Sequence, residues 1–459
     1  MRKPKGSNKK LNAYSFAGLG IGSIIGSGFF LGGAISIHQA GPSIILAYLL
    51  CGFLFSQVLG AITSVSVNRP VTGSFKVYAE QFFGKYLGFL TGWLLFCSGI
   101  LTIGSEAMAA GIFLRYWFPQ TSLAFLSCLV IVLVIAVNLL NAKKFGLVES
   151  TMAAIKIIAI LFFMAMGFRF LFTNGIAARP LPFHNLQTFF PMGLSGFFQS
   201  MLVVIFTYAG VSTVAMATSK VNQPQKNIPK AMSVMTVGTI LMYTVTTFLV
   251  VCIINWNSVN MKLSPMVQAL DYMGNSGLSS LMNAVILVAA LSVMIGSYFS
   301  TMQVLVALSD AKEAPTFLTQ TTTKGLPRNA WIITGALAFL VVAVSFILSS
   351  KLFNYLISAS SFFTFYNWTI NLMIYWRWHR VRREGEAFSS KMIWGKTGVY
   401  LTLILLETLV ISSLFVEDFR IGFYIAISTS VLVSSAYLYG KTAVLESHKI
   451  EYSHHSNIP

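Results

Sequence analysis

The stretch Gly22-Ser23-Ile24-Ile25-Gly26-Ser27-Gly28 lies inside the first long apolar segment of this chain. Three glycines and two serines in seven residues are poor material for a continuous helix, since each glycine costs about 1 kcal/mol relative to alanine in a helix interior. In a lipid bilayer, backbone outside a helix persists only where protein buries it or a cavity borders it. The stretch therefore predicts an interrupted membrane helix whose free N–H groups, C=O groups and hydroxyls lie where a carried solute would bind.

The composition is typical of a membrane protein. Of the 459 residues, 56% are hydrophobic and 10% are charged, and the mean hydropathy is +0.74. The net charge is +18, but the basic residues flank apolar segments and form no basic groove of the kind that binds nucleic acid. The four cysteines lie in or beside apolar segments, without metal-ligand spacing. We expect no nucleic-acid partner, no metal and no cofactor.

Apolar segments of about 20 residues are long enough to cross a bilayer. An even number of spans places both termini on the same side. With the termini in the cytoplasm, 24 of the 31 Lys and Arg residues fall in or beside cytoplasmic segments and six fall outside, as the positive-inside rule requires. We therefore expect a multi-pass protein of the cell membrane with cytoplasmic N- and C-termini. The twelve predicted spans are 13–38, 43–67, 86–114, 122–141, 147–172, 191–218, 231–254, 278–308, 330–350, 353–376, 397–416 and 420–440.

The sixth predicted span carries an interruption like that of the first. It reads Phe206-Thr207-Tyr208-Ala209-Gly210-Val211-Ser212, with small residues at mid-depth. Two interrupted spans that are five spans apart indicate an inverted repeat of five plus five spans around one central site, with two more spans at the end. The expected fold is all-α. The expected units are a basic tail at 1–12, a first repeat with its outer loop at 13–190, a second repeat with a cytoplasmic loop at 191–390, spans 11 and 12 at 391–440, and a tail at 441–459.

The chemistry of the interruption favours a zwitterion. Small residues four apart, here Gly18, Gly22 and Gly26, usually serve close helix packing, but the serines and the second interruption in span 6 favour a binding site. The half-helix that begins near Gly28 directs its N-terminal amides into the break, which suits a carboxylate. The carbonyls at the end of the preceding half-helix suit an ammonium group. Phe206 directly precedes the second break, where its ring either closes over a bound solute or packs in the core.

Two charged residues lie deep in predicted spans. Lys156 is about nine residues into span 5, roughly 14 Å at 1.5 Å per residue, and a lysine at mid-bilayer costs about 2.5–3.5 kcal/mol. It is either a structural cation satisfied by carbonyls, or a fixed or switchable cation that braces broken span 1 and exchanges a proton. Glu106, in span 3, is a candidate for pairing with a buried cation, for proton coupling, for contact with a cationic substrate, or for a purely structural hydrogen bond.

These residues resemble the amino acid–polyamine–organocation superfamily, and in particular its bacterial amino acid permeases. The similar stretches follow the family order over about residues 11–380. They are Gly22–Phe30, Pro70-Val71-Thr72-Gly73-Ser74-Phe75 with Tyr78-Ala79, Gly92-Trp93 with Glu106, Glu149 with Lys156, Asn227-Ile228-Pro229-Lys230-Ala231, and Ala314-Pro315.

The resemblance implies a LeuT-type fold and transport by alternating access. By position in the family, the substrate ammonium would contact the carbonyls of Ile24, Phe206 and Ala209, and Phe206 would be the gating aromatic. The carboxylate would contact the Ser27 hydroxyl and the amides near Gly28. Lys156 would bridge span 1 to span 8, with Ser292 as the expected contact on span 8. The candidate substrate-binding residues are Ser23, Ile24, Gly26, Ser27, Gly28, Phe206, Ala209 and Gly210, and the candidate coupling residues are Lys156, Ser292 and Glu106.

The chain departs from the family pattern mainly by losing charge. Ser64, Ser212 and Lys220 occupy positions where permeases of this type usually carry a glutamate, and Gln303 replaces a common arginine. Fewer acids argue against a carboxylate proton relay and against a cationic substrate, although Glu106 keeps the cationic option open.

We therefore expect a secondary transporter of neutral amino acids, coupled to protons or working by exchange, and not an enzyme. Two alternatives remain: a cationic amino acid transporter, and a membrane-embedded amino acid sensor built on a transporter fold. The sequence carries no indication of the oligomeric state.

Overall fold

The computed structural model describes residues 12–69, 71, 74–140, 142–174, 185–210, 221–322, 325–348, 352–386 and 394–455. Within these residues the regular structure is helical, apart from one isolated antiparallel bridge between Thr321 and Pro327. Several sequence features lie outside the described residues: most of the N-terminal tail, the end of the C-terminal tail, Pro70, Thr72 and Gly73, and residues 211–220 with Ser212 and Lys220.

The described residues form sixteen α-helices, numbered here in chain order. They are α1 (Ala13–Ile24), α2 (Ser27–Phe30), α3 (Gly32–Ala40), α4 (Ile44–Asn68), α5 (Ser74–Phe83), α6 (Lys85–Leu114), α7 (Leu123–Val137), α8 (Ala142–Asn174), α9 (Gly193–Thr207), α10 (Pro224–Ile253), α11 (Pro265–Tyr272), α12 (Ser276–Asp310), α13 (Arg328–Ala343), α14 (Leu352–Arg380), α15 (Gly395–Ser413) and α16 (Glu417–His455).

Eight helical segments of the described chain are long and apolar enough to cross a membrane. The first of them covers 42 residues and changes direction at Gly41, whose φ of +60° suits glycine and whose missing Cβ makes room for the Pro191 ring. The eight segments are Ser27–Asn68, Lys85–Leu114, Gly146–Thr173, Pro224–Ile253, Ser276–Asp310, Arg328–Phe346, Gly395–Ser413 and Phe419–Tyr439.

The remaining predicted spans contain helices that fail the same test for identifiable reasons. Helices α1, α7 and α9 have only 12, 15 and 15 residues. Helix α14 has 29 residues but carries polar side chains along its length. Because α14 packs against α4, α6, α9, α15 and α16, most of its surface faces protein rather than lipid. Its buried polar residues are Ser358, Ser360, Ser361, Thr364, Asn367 and Asn371.

The helices pack as two groups. In one group, α6, α7, α12 and α13 pack against one another, and α6 and α12 form the most extensive helix pair of the described structure. Gly99 on α6 makes this approach possible, because a Cβ there would collide with the Thr301 side chain. In the other group, α10 packs against α1 and α4, and α4 packs against α9. Helices α8 and α14 contact both groups, and a cavity with lining residues from both groups lies between them.

Candidate functional site

Helix α1 ends at Ile24, and α2 begins at Ser27. The residues between them, Ile25 and Gly26, have extended backbone conformations. A Cβ on Gly26 would lie 2.5 Å from Glu106 Oε1 and 3.0 Å from Val293 Cγ2, so a side chain there would displace the Glu106 carboxylate from its present position. The chain thus leaves the helix at a point where its backbone is in direct contact with α6 and α12.

Glu106 binds the start of α2. Its side chain projects from α6, is 2% exposed, and accepts the Ser27 backbone N–H at 3.0 Å from each carboxylate oxygen. A carboxylate at a helix N-terminus is favourable because it pairs with an otherwise free amide and with the positive end of the helix dipole. The Ser27 hydroxyl is fully buried and is close enough to interact with Glu106, but it makes no hydrogen bond of regular geometry with a described residue. The first amide of α2 is therefore paired with a carboxylate of the protein itself.

Lys156 binds the end of α1. Its fully buried ammonium group projects from α8 and donates to the Gly22 and Ile25 carbonyls, the latter at 3.0 Å. The last carbonyls of a helix lack intrahelical partners, so a cation there satisfies them. Helix α8 can approach this closely because residue 22 is glycine. A Cβ at this position would collide with Ala153 on α8. The charges of Glu149 and Glu106 both interact with the ammonium group.

The predicted contact between Lys156 and Ser292 is not formed. The Ser292 side chain is 1% exposed on α12, and its hydroxyl has no hydrogen-bond partner among the described residues. Glu149 is close enough to interact with it, but Glu149 Oε1 is also buried without a partner. The hydrogen bonds of Lys156 go to the unsatisfied carbonyls of α1 instead. Among the described residues, Lys156 therefore braces span 1 without this tie to span 8.

Helix α9 ends at Thr207, inside the second predicted interruption, whose last residues lie outside the described part of the chain. The hydroxyl of Tyr243, on α10, is 3.3 Å from the Ile24 carbonyl oxygen and 3.2 Å from that of Thr207. The Tyr243 hydroxyl is thus within hydrogen-bonding distance of the last carbonyl of α1 and the last carbonyl of α9. Gly210 lies close to the same point, since a Cβ there would be 2.7 Å from the Ser23 carbonyl oxygen. The two helix ends meet directly.

A cavity of about 100 Å³ lies where the two helix ends face α6, α12 and α14. Of the eight predicted substrate-binding residues, only Ser27 is absent from its wall, and Glu106 also borders it, whereas Lys156 and Ser292 do not. The residues from α1, α2, α9 and the break that line it are Ser23, Ile24, Gly26, Gly28, Phe206, Thr207, Ala209 and Gly210.

The opposite wall of the cavity consists largely of residues that sequence reasoning missed. They come from α6 (Ser98, Thr102), α12 (Ser297, Ser300, Thr301) and α14 (Thr364, Asn367, Trp368). Their spacing of three and four residues places each set on one helix face. A search for polar residues at helical spacing inside apolar spans would have indicated these faces.

The ring of Phe206 covers the start of α2. Its side chain is 6% exposed and lines the cavity, and a Cβ on Gly28 would lie 2.8 Å from its Cδ1 atom. Behind it, Phe29 stacks on Tyr243 with ring centroids 4.1 Å apart. The apolar part of the site is therefore built onto the same two helix ends as the polar part.

The cavity extends toward one face of the protein. Along α6 its lining residues run from Glu106 to Leu95, toward the start of the helix, and along α12 they run from Val293 to Val304, toward the end of the helix. The start of α6 and the end of α12 lie on the same side.

Two ion pairs lie near that side of the protein. Arg69 Nε, at the end of α4, is 2.6 Å from Glu386 Oε1, and Lys76 Nζ, on α5, is 3.0 Å from Glu313 Oε2. The hydrogen bond from Arg69 lowers the pKa of Glu386 below its ordinary value. Burial raises the pKa of Glu313, and Lys76 opposes that rise. These pairs tie α4 to the segment after α14, and α5 to the segment after α12.

Comparison with known proteins agrees with this architecture. The model of the amino acid permease family matches residues 18–447. The uncharacterized amino acid permease YtnA of Bacillus subtilis is 30% identical over 92% of this chain and 92% of its own length. The amino-acid permease AapA of the same organism is 29% identical over 94% of each chain, and its gamma-aminobutyric acid permease is 28% identical over 96% of this chain and 95% of its own. This multi-pass protein of the cell membrane therefore belongs to the amino acid permease family of the amino acid–polyamine–organocation superfamily.

Proposed function

We propose that this protein is a secondary transporter of neutral amino acids that works by alternating access. The observation that carries the proposal is the cavity where α1 and α9 both end, because helix ends supply the free amides and carbonyls that bind a zwitterion. In this proposal the chain has twelve spans, with repeats at 13–190 and 191–390 and spans 11 and 12 at 391–440. Both termini lie in the cytoplasm.

The packing of the helices supports alternating access. The cavity has walls from both helix groups, α1 and α9 on one side and α6 and α12 on the other. Relative rotation of the two groups about this seam would open the cavity first to one face and then to the other. Phe206 acts as the gate in this proposal, since its ring already lies over the start of α2.

The substrate main chain would bind at the breaks. Its ammonium group would contact the carbonyls of Ile24, Phe206 and Ala209, and its carboxylate would contact the amide of Gly28, which lines the cavity. The Ser27 hydroxyl, which lies outside the cavity wall, would join this contact only after α2 moves. Ser23, Gly26 and Gly210 bring the backbone segments close enough to enclose it, as the contact of Gly210 with Ser23 indicates.

The state of Glu106 favours a neutral over a cationic substrate. Glu106 is the one carboxylate among the described residues that line the cavity. Both of its oxygens accept the Ser27 amide, and the charge of Lys156 interacts with it. A cationic side chain would therefore find a carboxylate that is already hydrogen-bonded and partly neutralised.

Lys156 is the proposed coupling residue. It holds the end of α1 through two carbonyls, so loss of its proton would release the span that carries half of the binding site. Glu149, on α8 like Lys156, is close enough to interact with both Lys156 and Ser292 on α12. Glu149 and Ser292 would complete the coupling site once the helices move. Either a proton gradient or exchange for another amino acid supplies the driving force.

The test is uptake of radiolabelled amino acids into proteoliposomes, with and without a pH gradient and with and without internal amino acid. Saturable uptake of neutral amino acids supports the proposal, and its dependence on the gradient or on internal substrate identifies the driving force. Binding of amino acids without flux would overturn it in favour of a sensor. Uptake of arginine and lysine in preference to neutral amino acids would overturn the assignment of Glu106.

A further inference from the structure

The polar side chains around the cavity divide into two sets by their hydrogen bonds. In the first set, the hydroxyl donates a hydrogen bond to a backbone carbonyl of the same helix. Thr102 donates to the Ser98 carbonyl at 2.9 Å, and Thr364 donates to the Ser360 carbonyl at 2.9 Å. The hydroxyls of Ser98, Ser297 and Thr301 and the carboxamide of Asn367 make no hydrogen bond with any described residue. These four side chains, here called the open polar set, come from α6, α12 and α14.

Asn367 is the most informative member of the open polar set. Its side chain lines the cavity, yet the residue is 6% exposed and its Oδ1 is buried without a partner. Its main-chain carbonyl is already bonded to the Asn371 side chain at 2.6 Å. Buried amide groups are almost always hydrogen-bonded in folded proteins, so a free carboxamide on a cavity wall indicates a partner that enters the cavity.

The volume of the cavity limits the size of that partner. A water molecule needs roughly 10–15 Å³ on the same scale, so a cavity of about 100 Å³ accommodates several water-sized groups. Serine, threonine and asparagine have about seven to nine non-hydrogen atoms and match this space. Arginine and the aromatic amino acids are larger.

We propose that the open polar set binds the side chain of the transported substrate and makes the protein selective for small amino acids with a hydroxyl or amide side chain. This inference rests on the proposed function, because it takes the substrate main chain to lie at the two breaks. From there the side chain meets Asn367, which offers both a donor and an acceptor, and hydroxyls that can do either. An apolar side chain of equal size would leave these groups unpaired.

Isosteric substrates test the selectivity directly. Threonine and valine have the same shape, as do asparagine and leucine to a close approximation, and only one of each pair carries hydrogen-bonding groups. In competition against uptake of radiolabelled substrate by the wild-type protein, we expect threonine and asparagine to inhibit at concentrations about tenfold lower than valine and leucine. Equal inhibition within both pairs would overturn the inference while leaving the proposed function intact. Absence of all amino acid uptake would instead overturn the proposed function.

Substitutions then test the residues. In Asn367→Leu, the concentrations at which leucine and asparagine inhibit uptake should become nearly equal. Asn371→Leu is the matched control: the same change one turn along α14, at a buried residue whose side chain does not line the cavity, should keep the wild-type ratio. A wild-type ratio in Asn367→Leu would remove Asn367 from the subsite.

A second variant covers the case in which Asn367→Leu does not fold. Ser297→Ala with Thr301→Val removes two hydroxyls from α12 with little change in volume. We expect the inhibitory concentration of valine, divided by that of threonine, to be lower than in the wild-type protein. An unchanged ratio would overturn the role of the α12 hydroxyls. Because each result is a ratio of substrates on one preparation, the amount of folded protein does not affect it.

Discussion

The Ser27 backbone amide lies 3.0 Å from both carboxylate oxygens of Glu106, which is 79 residues away in the sequence. This single contact joins the start of α2 to the C-terminal third of α6, at the carboxylate that borders the cavity. It also means that the protein supplies its own anion at a helix end where a substrate carboxylate is expected to bind.

The contact predicts an order of stability among variants at position 106. Glu106→Ala leaves the buried Ser27 amide unpaired, which costs about 1–3 kcal/mol, whereas Glu106→Gln keeps one carbonyl oxygen as acceptor. We expect the melting temperature in detergent to fall more for the alanine variant than for the glutamine variant. Equal melting temperatures for the two variants would contradict a role for the Ser27 contact.

Gly26 should tolerate no side chain. A Cβ there would meet Glu106 Oε1 at 2.5 Å and Val293 Cγ2 at 3.0 Å, and overpacking of this kind costs about 1–3 kcal/mol. We expect Gly26→Ala to abolish saturable uptake. Gly18→Ala is the matched control in α1, because a Cβ at Gly18 has nothing within 4 Å, and it should retain wild-type uptake. Equal transport by both variants would contradict the proposed geometry of the break.

Lys156 should decide how transport responds to pH. Lys156→Met keeps the length and apolar body of the side chain but removes the ammonium group that holds the Gly22 and Ile25 carbonyls. We expect uptake by this variant to be low and independent of a pH gradient. Lys85→Met, at an exposed residue at the start of α6, is the control and should behave as wild type. Full gradient-dependent uptake by Lys156→Met would exclude Lys156 from coupling.

Phe206 should affect substrate affinity through its ring. Phe206→Ala removes apolar surface that covers the start of α2, and we expect the apparent KM for uptake to rise about tenfold or more. Phe198→Ala changes the same residue type on α9, where the ring is 38% exposed, and should leave KM unchanged. An unchanged KM for Phe206→Ala would argue that the ring only fills space.

The pair of Arg69 and Glu386 should stabilise the protein in a pH-dependent way. Because the pKa of Glu386 is lowered in the folded protein, the pair contributes its full stabilisation above the ordinary carboxyl pKa. That contribution is lost as pH falls through the lowered value. We therefore expect Glu386→Gln to melt below wild type at neutral pH, and the difference to shrink at acidic pH. A difference that grows on acidification would contradict the assignment.

Sequence reasoning placed the long helices well where composition changes sharply at their ends. The predicted spans 86–114 and 278–308 correspond to helices Lys85–Leu114 and Ser276–Asp310. The end of α1 at Ile24 likewise falls inside the glycine- and serine-rich stretch, because the cost of glycine in a helix is local and readable from the sequence.

Helical spacing indicates which polar residues of the wall opposite the breaks share a helix face, but the sequence does not show that these faces border a cavity, because hydroxyl groups are ambiguous. A serine or threonine in a span can bond to its own helix backbone, as Thr102 and Thr364 do, so its presence does not reveal which way it faces. Tyr243 is similar, since a tyrosine in an apolar helix indicates only packing until the two carbonyls beside its hydroxyl are known.

The partner of Glu106 was equally hidden. From the sequence it had four candidate roles, and the Ser27 amide was not assigned to it. No local pattern marks a contact between residues 79 positions apart. What decides it is the close packing of Gly26 against α6, which only the folded chain brings about.

The carboxylate on the Ser27 amide has a consequence for the unloaded carrier. The first amide of α2 is already paired in the empty site and loses no hydrogen bond when cargo leaves, so we expect this contact to add little penalty to reorientation without cargo. A permease of this kind can complete its cycle by returning vacant, and net accumulation, not only one-for-one swapping, becomes physically accessible to it.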